Sequence, residues 1–303
     1  FEYARVTPEM RVGELAAMTP TTKFGETFQY SNLLVMAGGY AAGHALYPRL
    51  KLGPAFDRAM QDQVFAPLGM TRTTYDFARA SRGDHATPHA PDLAGTMSPV
   101  GLGAETWVTT VRPAGGQWSS VHDYTRVLLL ELGKGVLDGK RVISEANLLE
   151  RRKPQVAIDA ERAYGMGLVV GTTNDVPVVT HSGGTAGFTT DYFWLPEHGV
   201  GVVIVANVGN GGLFIGAVRR RIFEALFAAD AQADTMLTEG VAREQQRVAA
   251  ELARVKADVD PAWLAPLLGA WTAPGLGRIE LSARRGKVVL DLSLIHISEP
   301  TRP

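Results

Sequence analysis

Two periods of hydrophobic and polar positions divide the chain into a helical part and a strand-rich part. Apolar residues at helical spacing, bounded by polar caps or by Pro and Gly, predict four helices in the first part. They cover residues 27–47, 56–64, 123–132 and 144–152. Alternating or continuous apolar runs between Gly, Asn, Asp and Pro predict four strands in the second part. They cover residues 164–170, 176–180, 189–195 and 201–208.

The connections indicate how these elements pack. Short breaks between strands, such as residues 195–199, are typical of an antiparallel meander. A helix over residues 213–228 has one apolar stripe and can cover the sheet. Residues 76–118 are rich in Gly, Pro, Thr and Asp, which predicts loops with short strands. The predicted fold class is α/β (α+β), with a central antiparallel sheet flanked by helices.

The pattern divides the chain into one large domain, residues 1–228, and a C-terminal part. Residues 229–259 are predicted to form a helical connector. Residues 260–291 are predicted to begin a separate β module. Residues 292–303 resemble the translation of a transposase adapter used to prepare sequencing libraries, so we exclude them from fold reasoning. The chain opens at Phe1 in polar sequence without Met, and we expect an upstream segment to be missing.

Composition narrows the possible partners. The 303 residues carry 30 Lys and Arg against 31 Asp and Glu, so neither nucleic acid nor an anionic lipid surface is expected. The absence of Cys excludes a disulfide framework, a thiolate zinc site and a Cys nucleophile, but leaves the compartment open. No apolar run approaches the roughly 20 residues that span a bilayer, so no membrane span is predicted. His85 and His89 lie in a Pro-containing loop without helical phasing, so a solvated loop is favoured over a metal site.

The first candidate for chemistry is Tyr30-Ser31-Asn32 at a predicted helix start. A tyrosine hydroxyl held beside a lysine can lose its proton near neutral pH and act as a base, and an Asn amide can hold a substrate carbonyl. Taken alone, the pattern Tyr-x-Asn is more often a helix cap with a packed aromatic residue.

The second candidate is residues 180–188, Thr-His-Ser-Gly-Gly-Thr-Ala-Gly-Phe, between two predicted strands. Glycine lets a substrate approach the backbone, so that amide N–H groups can point at a developing oxyanion. His181 offers a positive or hydrogen-bonding group to a substrate carboxylate or carbonyl. A Gly-rich β-turn without a ligand explains this segment alone equally well.

The order of the two candidates, Tyr-x-Asn and then His-x-Gly at a strand end, resembles the serine β-lactamase, DD-peptidase and related esterase family. The resemblance spans residues 7–228, and further matching segments follow the family's usual order. They are residues 65–75, 113–123, 164–167 and 195–207. Residues 260–292 resemble the opening of the lipocalin-like β domain that follows the catalytic domain in some members.

The resemblance implies a role for the residues that match. Tyr30 is expected to be the general base or proton relay, and Asn32 to bind the amide of the substrate. His181 stands where many members have Lys and is expected to contribute electrostatics and substrate anchoring.

At the strand end, Gly184 is expected to supply one oxyanion-hole N–H, with Ser182 beside His181 and Gly183 keeping the strand clear. The second oxyanion donor in the family is the N–H of the nucleophile itself.

The nucleophile motif of the family, Ser-x-x-Lys, is missing from this sequence. No lysine has Ser or Thr three positions earlier, and no Gly-x-Ser-x-Gly segment offers a substitute. Ser31 and Ser182 are better explained as motif neighbours than as nucleophiles. We therefore expect the domain to lack its N-terminal strands and first helices, and the chain to be inactive by itself.

The resemblance implies a parent enzyme that hydrolyses small-molecule esters, amides or β-lactams through a Ser acyl-enzyme, without metal or cofactor. His181 in place of Lys favours an esterase or peptidase over a β-lactamase, by family analogy. A non-catalytic binding or scaffold protein of the same fold is the alternative. Family members are often exported, which favours a periplasmic or extracellular parent, and the sequence does not indicate an oligomeric state.

Overall fold

A computed structural model describes residues 6–255, 259–273, 277–284 and 287–291, and this part contains ten α-helices. They are α1 (Pro8–Glu14), α2 (Asn32–Leu46), α3 (Leu52–Met60), α4 (Ala66–Leu68), α5 (Phe77–Arg82), α6 (Val121–Leu132), α7 (Glu145–Glu150), α8 (Gly212–Phe227), α9 (Ala233–Leu252) and α10 (Pro261–Leu264). A π-helical segment, Gln61–Phe65, joins α3 to α4, and a 3-10 helix covers Leu102–Thr110.

The β-strands form a main sheet preceded by two small hairpins. The hairpins are β1 (His89–Pro91) with β2 (Met97–Pro99) and β3 (Val136–Leu137) with β4 (Lys140–Arg141). The six strands of the main sheet are β5 (Val156–Ala157), β6 (Arg162–Tyr164), β7 (Val169–Thr173), β8 (Val176–Gly184), β9 (Thr189–Leu195) and β10 (Val200–Ala206). Each strand pairs antiparallel with the next in the chain, so the predicted meander is confirmed.

The two faces of the main sheet bury different helices. On one face, Leu128 of α6 packs with Val179 and Trp194. On the other face, Phe223 of α8 packs with Val178. Consecutive strand residues point to opposite faces, so one β8 strand serves both cores. The predicted α/β (α+β) fold with helices on both faces of an antiparallel sheet is confirmed.

A third core lies in the helical layer. Met36 and Tyr40 of α2 are fully buried and pack with Phe56 of α3. The Tyr40 hydroxyl donates to the Thr110 carbonyl at 2.8 Å. Leu130 of α6 belongs to this core, so α6 joins the helical layer to the sheet.

Serine side chains start three of the predicted helices. Ser31, Ser120 and Ser144 each precede a helix, and each hydroxyl oxygen accepts a backbone N–H from three residues later at 3.2–3.3 Å. These bonds satisfy N–H groups that have no partner inside the helix. For α2, α6 and α7, the apolar pattern and the serine cap therefore both indicate a helix.

Several predicted segments differ in detail. The predicted helix 27–47 begins at Asn32, and the predicted helix 56–64 is α3 followed by the π-helical segment. The predicted strand 176–180 continues to Gly184, so residues 181–184 belong to β8. The predicted strand 164–170 is two strands, β6 and β7, because the chain reverses there: Gly167 has φ +72° and the Gly165 N–H donates to the Leu168 carbonyl at 2.7 Å. Residues 76–118 contain α5 as well as loops, since the Asp76 side chain caps α5. The prediction of loops rested on the average composition of this long segment, which does not show the helix cap at Asp76.

The described C-terminal residues form α9, α10 and a small sheet. Helix α9 lies in the predicted connector, and β11 (Gly269–Ala273), β12 (Gly277–Arg284) and β13 (Lys287–Asp291) form an antiparallel sheet. The domain boundaries remain predictions, and residues 292–303 lie outside the described residues. In the described part of the chain, no helix combines the length and the apolar composition needed to cross a bilayer.

A buried ion pair ties α6 to the residues after α7. The Glu131 carboxylate is nearly inaccessible and accepts from Arg151 and from Arg152, each at 2.8 Å. The Arg152 guanidinium also lies 5.2 Å from the centre of the Trp194 ring. Losing one partner of a buried pair leaves the other charge desolvated without compensation.

We predict that Glu131→Ala lowers the free energy of unfolding by about 3–5 kcal/mol, because Arg152 then stays buried without its carboxylate. Glu150→Ala is the matched control: it removes a helical carboxylate whose partner, Lys153, is mostly exposed, so little change is expected. Urea denaturation followed by circular dichroism measures both. Equal losses in the two variants would contradict the role given to Glu131.

Candidate active site

The start of α2 and the end of β8 lie close together. The rings of Tyr30, just before α2, and His181, in β8, have centroids 6.2 Å apart. Tyr30 is about half exposed, 49%. The structure thus brings together two predicted site residues that are distant in sequence.

The α2 side of this site is formed by a capped helix start. Asn32 is the first residue of α2 and is exposed. The Ser31 hydroxyl oxygen accepts the Leu34 N–H at 3.3 Å, which accounts for a serine at this position. Tyr30 and Asn32 therefore flank a residue that acts as the helix cap.

The β8 side of the site follows from strand alternation. Val179 lies on the α6 face, and His181, two residues later, points the same way. Thr180 lies on the opposite face, where its hydroxyl contacts Arg219 of α8 at 3.2 Å. Ser182 shares that opposite face, so its side chain points away from His181, whereas its carbonyl lies 2.7 Å from His181 Nδ1.

The end of β8 carries an N–H group outside the ladder. Thr185 donates to Phe188 at 2.9 Å, so the alternation of antiparallel pairs makes Gly184 opposite Thr189 a non-hydrogen-bonded pair. The Gly184 N–H therefore points away from β9, towards the side where the pairing of β7 with β8 has already ended at Thr180. It has no ladder partner in the described residues. This is the geometry an oxyanion donor needs.

Glycine leaves space in front of this strand end. A Cβ atom built on Gly183 would meet nothing within 4 Å, and one on Gly184 only the Phe188 carbonyl at 3.9 Å. Both residues are exposed. A ligand can therefore approach the backbone here without a side chain in its way.

The connection after Gly184 is held by a buried carboxylate that the sequence did not point out. Glu105, in the 3-10 helix, is 2% exposed and accepts the Gly187 N–H at 2.7 Å. Gly187 itself has no room for a side chain, because a Cβ would lie 2.2 Å from a Pro88 carbon. In the sequence, Glu105 stands out only as an acidic residue within an apolar segment. That pattern does not show that its side chain is buried.

Tyr164 is a second residue that the sequence did not assign to the site. Its hydroxyl lies 3.0 Å from His181 Nε2, and its ring packs edge-on against Tyr30 at 6.2 Å and tilted against Phe28 at 5.2 Å. It belongs to the segment Tyr164-Gly-Met-Gly, which matches the family in sequence but to which no function was assigned from the sequence. The site is therefore lined by an aromatic cluster, Phe28, Tyr30, Tyr164 and His181.

Behind the site, a buried acid sits on the α8 face of the sheet. Asp191 of β9 is 4% exposed and lies 3.4 Å from the Thr180 hydroxyl and 3.5 Å from Arg219. Burial raises the pKa of the Asp191 carboxyl, and the Arg219 guanidinium partly offsets this. The network supports the strand that carries His181 from the opposite face.

His89 and Trp118 lie outside this cluster. His89 Nδ1 contacts the Thr87 carbonyl at 2.9 Å, and the described residues contain no group of three His, Asp or Glu side chains arranged for a metal ion. Trp118 packs edge-on against Phe77 and Phe188, each at 5.8 Å. These are packing and backbone contacts.

The sequence model of the Beta-lactamase family matches residues 3–227. A curated relative, Protein Rv1367c of Mycobacterium tuberculosis, is 24% identical over 162 residues, which are 53% of this chain and 39% of the relative. The chain thus spans less than half the length of this relative.

Two solved structures have a similar fold. The octameric penicillin-binding protein homologue from Pyrococcus abyssi has a TM-score of 0.61 at 18% identity, over 94% of this chain and 60% of that one. The D-stereospecific amidohydrolase from Streptomyces sp. has a TM-score of 0.58 at 19% identity, over 76% of this chain and 63% of that one. With the family match over residues 3–227, these findings confirm the resemblance: the chain belongs to the β-lactamase family and has the fold of its serine hydrolases.

Proposed function

We propose that this chain forms the substrate-binding side of a serine acyl-transfer hydrolase, and that a Ser-x-x-Lys segment elsewhere in the whole protein supplies the nucleophile. The observation that carries this proposal is that Tyr30 lies beside His181 of β8, and that the exposed end of the same strand carries the Gly184 N–H, which has no ladder partner in the described residues. Acyl transfer needs a base, an oxyanion donor and an open approach, and these three residues and the space before them can supply all of them.

In this proposal Tyr30 is the general base or proton relay. A tyrosine hydroxyl loses its proton near neutral pH only when a cation stabilises the phenolate. No Lys or Arg contacts Tyr30 among the residues that the structure describes. The Lys of a Ser-x-x-Lys segment beside Tyr30 would supply that charge together with the nucleophile.

The surface of α2 next to Tyr30 suits such a segment. Leu34 is 64% exposed and Val35 40%, although both belong to an apolar helix. Exposed apolar side chains grouped at a site favour contact with another protein segment. We propose that the segment carrying the nucleophile covers this face of α2 and thereby reaches Tyr30.

The remaining residues bind and orient the substrate. Asn32 offers its amide to the substrate amide or carbonyl, and His181 attracts a substrate carboxylate. Gly184 donates one N–H to the oxyanion while Gly183 leaves the approach clear. Ser182 contributes through its carbonyl, which fixes the His181 ring. The nucleophilic Ser then forms an acyl-enzyme that water hydrolyses, and no cofactor takes part.

The substrate class is an ester, an amide or a β-lactam. His181 in place of Lys favours an esterase or peptidase, and the similar structure from Streptomyces sp. is a D-stereospecific amidohydrolase. A binding or scaffold protein is the second candidate, because this chain contains no Ser-x-x-Lys segment. The two differ in whether the whole protein turns over any substrate.

We predict that the chain of residues 1–303 is hydrolytically inert. Loss of the nucleophile and of half the oxyanion hole typically lowers turnover by several powers of ten. A chromogenic ester and a chromogenic cephalosporin measure this, with His181→Ala in the same chain as the background control. Turnover above that background, abolished by a Ser-directed phosphonate, would show that a nucleophile lies within these residues.

In the whole protein, Tyr30→Phe should lower kcat by about 10²–10⁴, because it removes the proton acceptor and keeps the packed ring. The KM should change little, since substrate binding does not depend on the hydroxyl. Tyr124→Phe is the matched control, because Tyr124 packs on Tyr192 and lies outside the aromatic cluster. An unchanged kcat in Tyr30→Phe would remove the base assignment.

A separate prediction concerns His181 in the whole protein. His181→Ala should lower kcat/KM for a substrate with a carboxylate near the scissile bond about 10- to 100-fold more than for a neutral short-chain ester, the range of a lost charged hydrogen bond. His181→Lys, which places a cation at the same position, should retain the preference for the carboxylated substrate. Equal losses on both substrates in His181→Ala would remove the anchoring role.

A further inference from the structure

The two ring nitrogens of His181 have different partners. Nδ1 lies 2.7 Å from the Ser182 carbonyl oxygen. A carbonyl oxygen only accepts hydrogen bonds, so Nδ1 carries the proton in this contact. In the neutral ring, Nε2 then has a free lone pair and can only accept.

Tyr164 provides the donor that this tautomer requires. Its hydroxyl lies 3.0 Å from Nε2, within hydrogen-bond distance. A neutral ring with the proton on Nε2 would instead place the lone pair of Nδ1 against the carbonyl lone pairs of Ser182. The Ser182 carbonyl therefore selects the Nδ1–H tautomer, and the Tyr164 hydroxyl is the donor that satisfies Nε2 in that tautomer.

We propose that Tyr164 is a positioning residue of this site, whose hydroxyl donates to His181 Nε2 and holds the ring as the Nδ1–H tautomer in a fixed orientation towards Tyr30. Tyr164 acts through His181 and needs no contact with a substrate. The tautomer follows from the contacts alone, whereas its consequence for catalysis rests on the proposed function.

Tyr164 lies at the end of β6, two strands away from His181 in the main sheet. Tyr164 ends β6 and pairs with Val169 of β7, which in turn pairs with Thr180, next to His181. From this position the tyrosine side chain reaches β8, where its hydroxyl lies 3.0 Å from His181 Nε2. Gly165 follows it because a Cβ there would lie 2.4 Å from the Arg151 carbonyl oxygen, which leaves the turn no alternative residue.

The surroundings of Tyr164 keep its hydroxyl a donor. The ring packs against Phe28 at 5.2 Å and is partly buried. Burial, and after it the neighbouring Tyr30, raises the pKa of Tyr164 above its ordinary value. The phenol therefore stays protonated over the neutral range.

This arrangement sharpens the role of His181 in the proposed reaction. With Nδ1 donating to Ser182, the one lone pair of the neutral ring is at Nε2, where it accepts from Tyr164 and not from a nucleophile. This arrangement favours Tyr30 over His181 as the general base of the proposed reaction. If Nε2 takes up a proton, the Tyr164 oxygen becomes its acceptor, and the charged ring then attracts an anionic substrate.

The test is the tautomer of His181 in the ¹⁵N-labelled chain of residues 1–303, read from a long-range ¹H–¹⁵N spectrum at a pH of about 8.5, where free histidine is neutral. The His181 signals are those lost in His181→Gln. We expect a protonated Nδ1 and an unprotonated Nε2. A wild-type ring with its proton mainly on Nε2 would overturn the proposal whatever the variants show.

Tyr164→Phe keeps the packed ring and removes the donor, so it should shift the tautomer population of His181 towards Nε2–H. Tyr30→Phe is the matched control, because its ring is equally close to His181 but its hydroxyl makes no hydrogen bond to it in the described residues. A Tyr164→Phe chain with a native amide spectrum and an unchanged tautomer would also overturn the proposal. None of these readings depends on turnover, so an inactive whole protein would reject the proposed function and leave this inference standing.

Discussion

The antiparallel register of β8 with β9 is the constraint on which the site depends. It pairs His181 with Tyr192 and Gly184 with Thr189. A shift of one residue would turn His181 to the α8 face and bring the Gly184 N–H into the ladder. The register is fixed because both faces are buried, with Val179 packed towards α6 and Val178 towards α8. The packing of the two cores thus determines the directions of the His181 side chain and of the Gly184 N–H.

The main elements of the fold could be predicted because pattern and local chemistry agree. The strand 189–195 was predicted with the bounds it has, and the serine caps mark α2 and α7 where the apolar period begins. Where a prediction differed, a local feature overrode the pattern. Gly165 and Gly167 split one apolar run into two strands, and the Asp76 cap formed a helix in a segment whose average composition indicated loops.

The site was only partly visible in the sequence. Tyr30 and His181 could be singled out because each stands in a short segment with a chemical meaning. Tyr164 and Glu105 could not, since their importance lies in contacts across the sheet, with His181 and with Gly187. A residue that positions another residue can be identified only from the contacts in the structure.

The helical layer, the sheet and the open strand end together describe one side of an acyl-transfer site. The most direct test is to label the whole protein with a Ser-directed phosphonate and to map the modified serine by mass spectrometry. We expect a single labelled serine, in a Ser-x-x-Lys segment outside residues 1–303. A label on Ser31 or Ser182, or no label at all on the folded protein, would contradict the proposal.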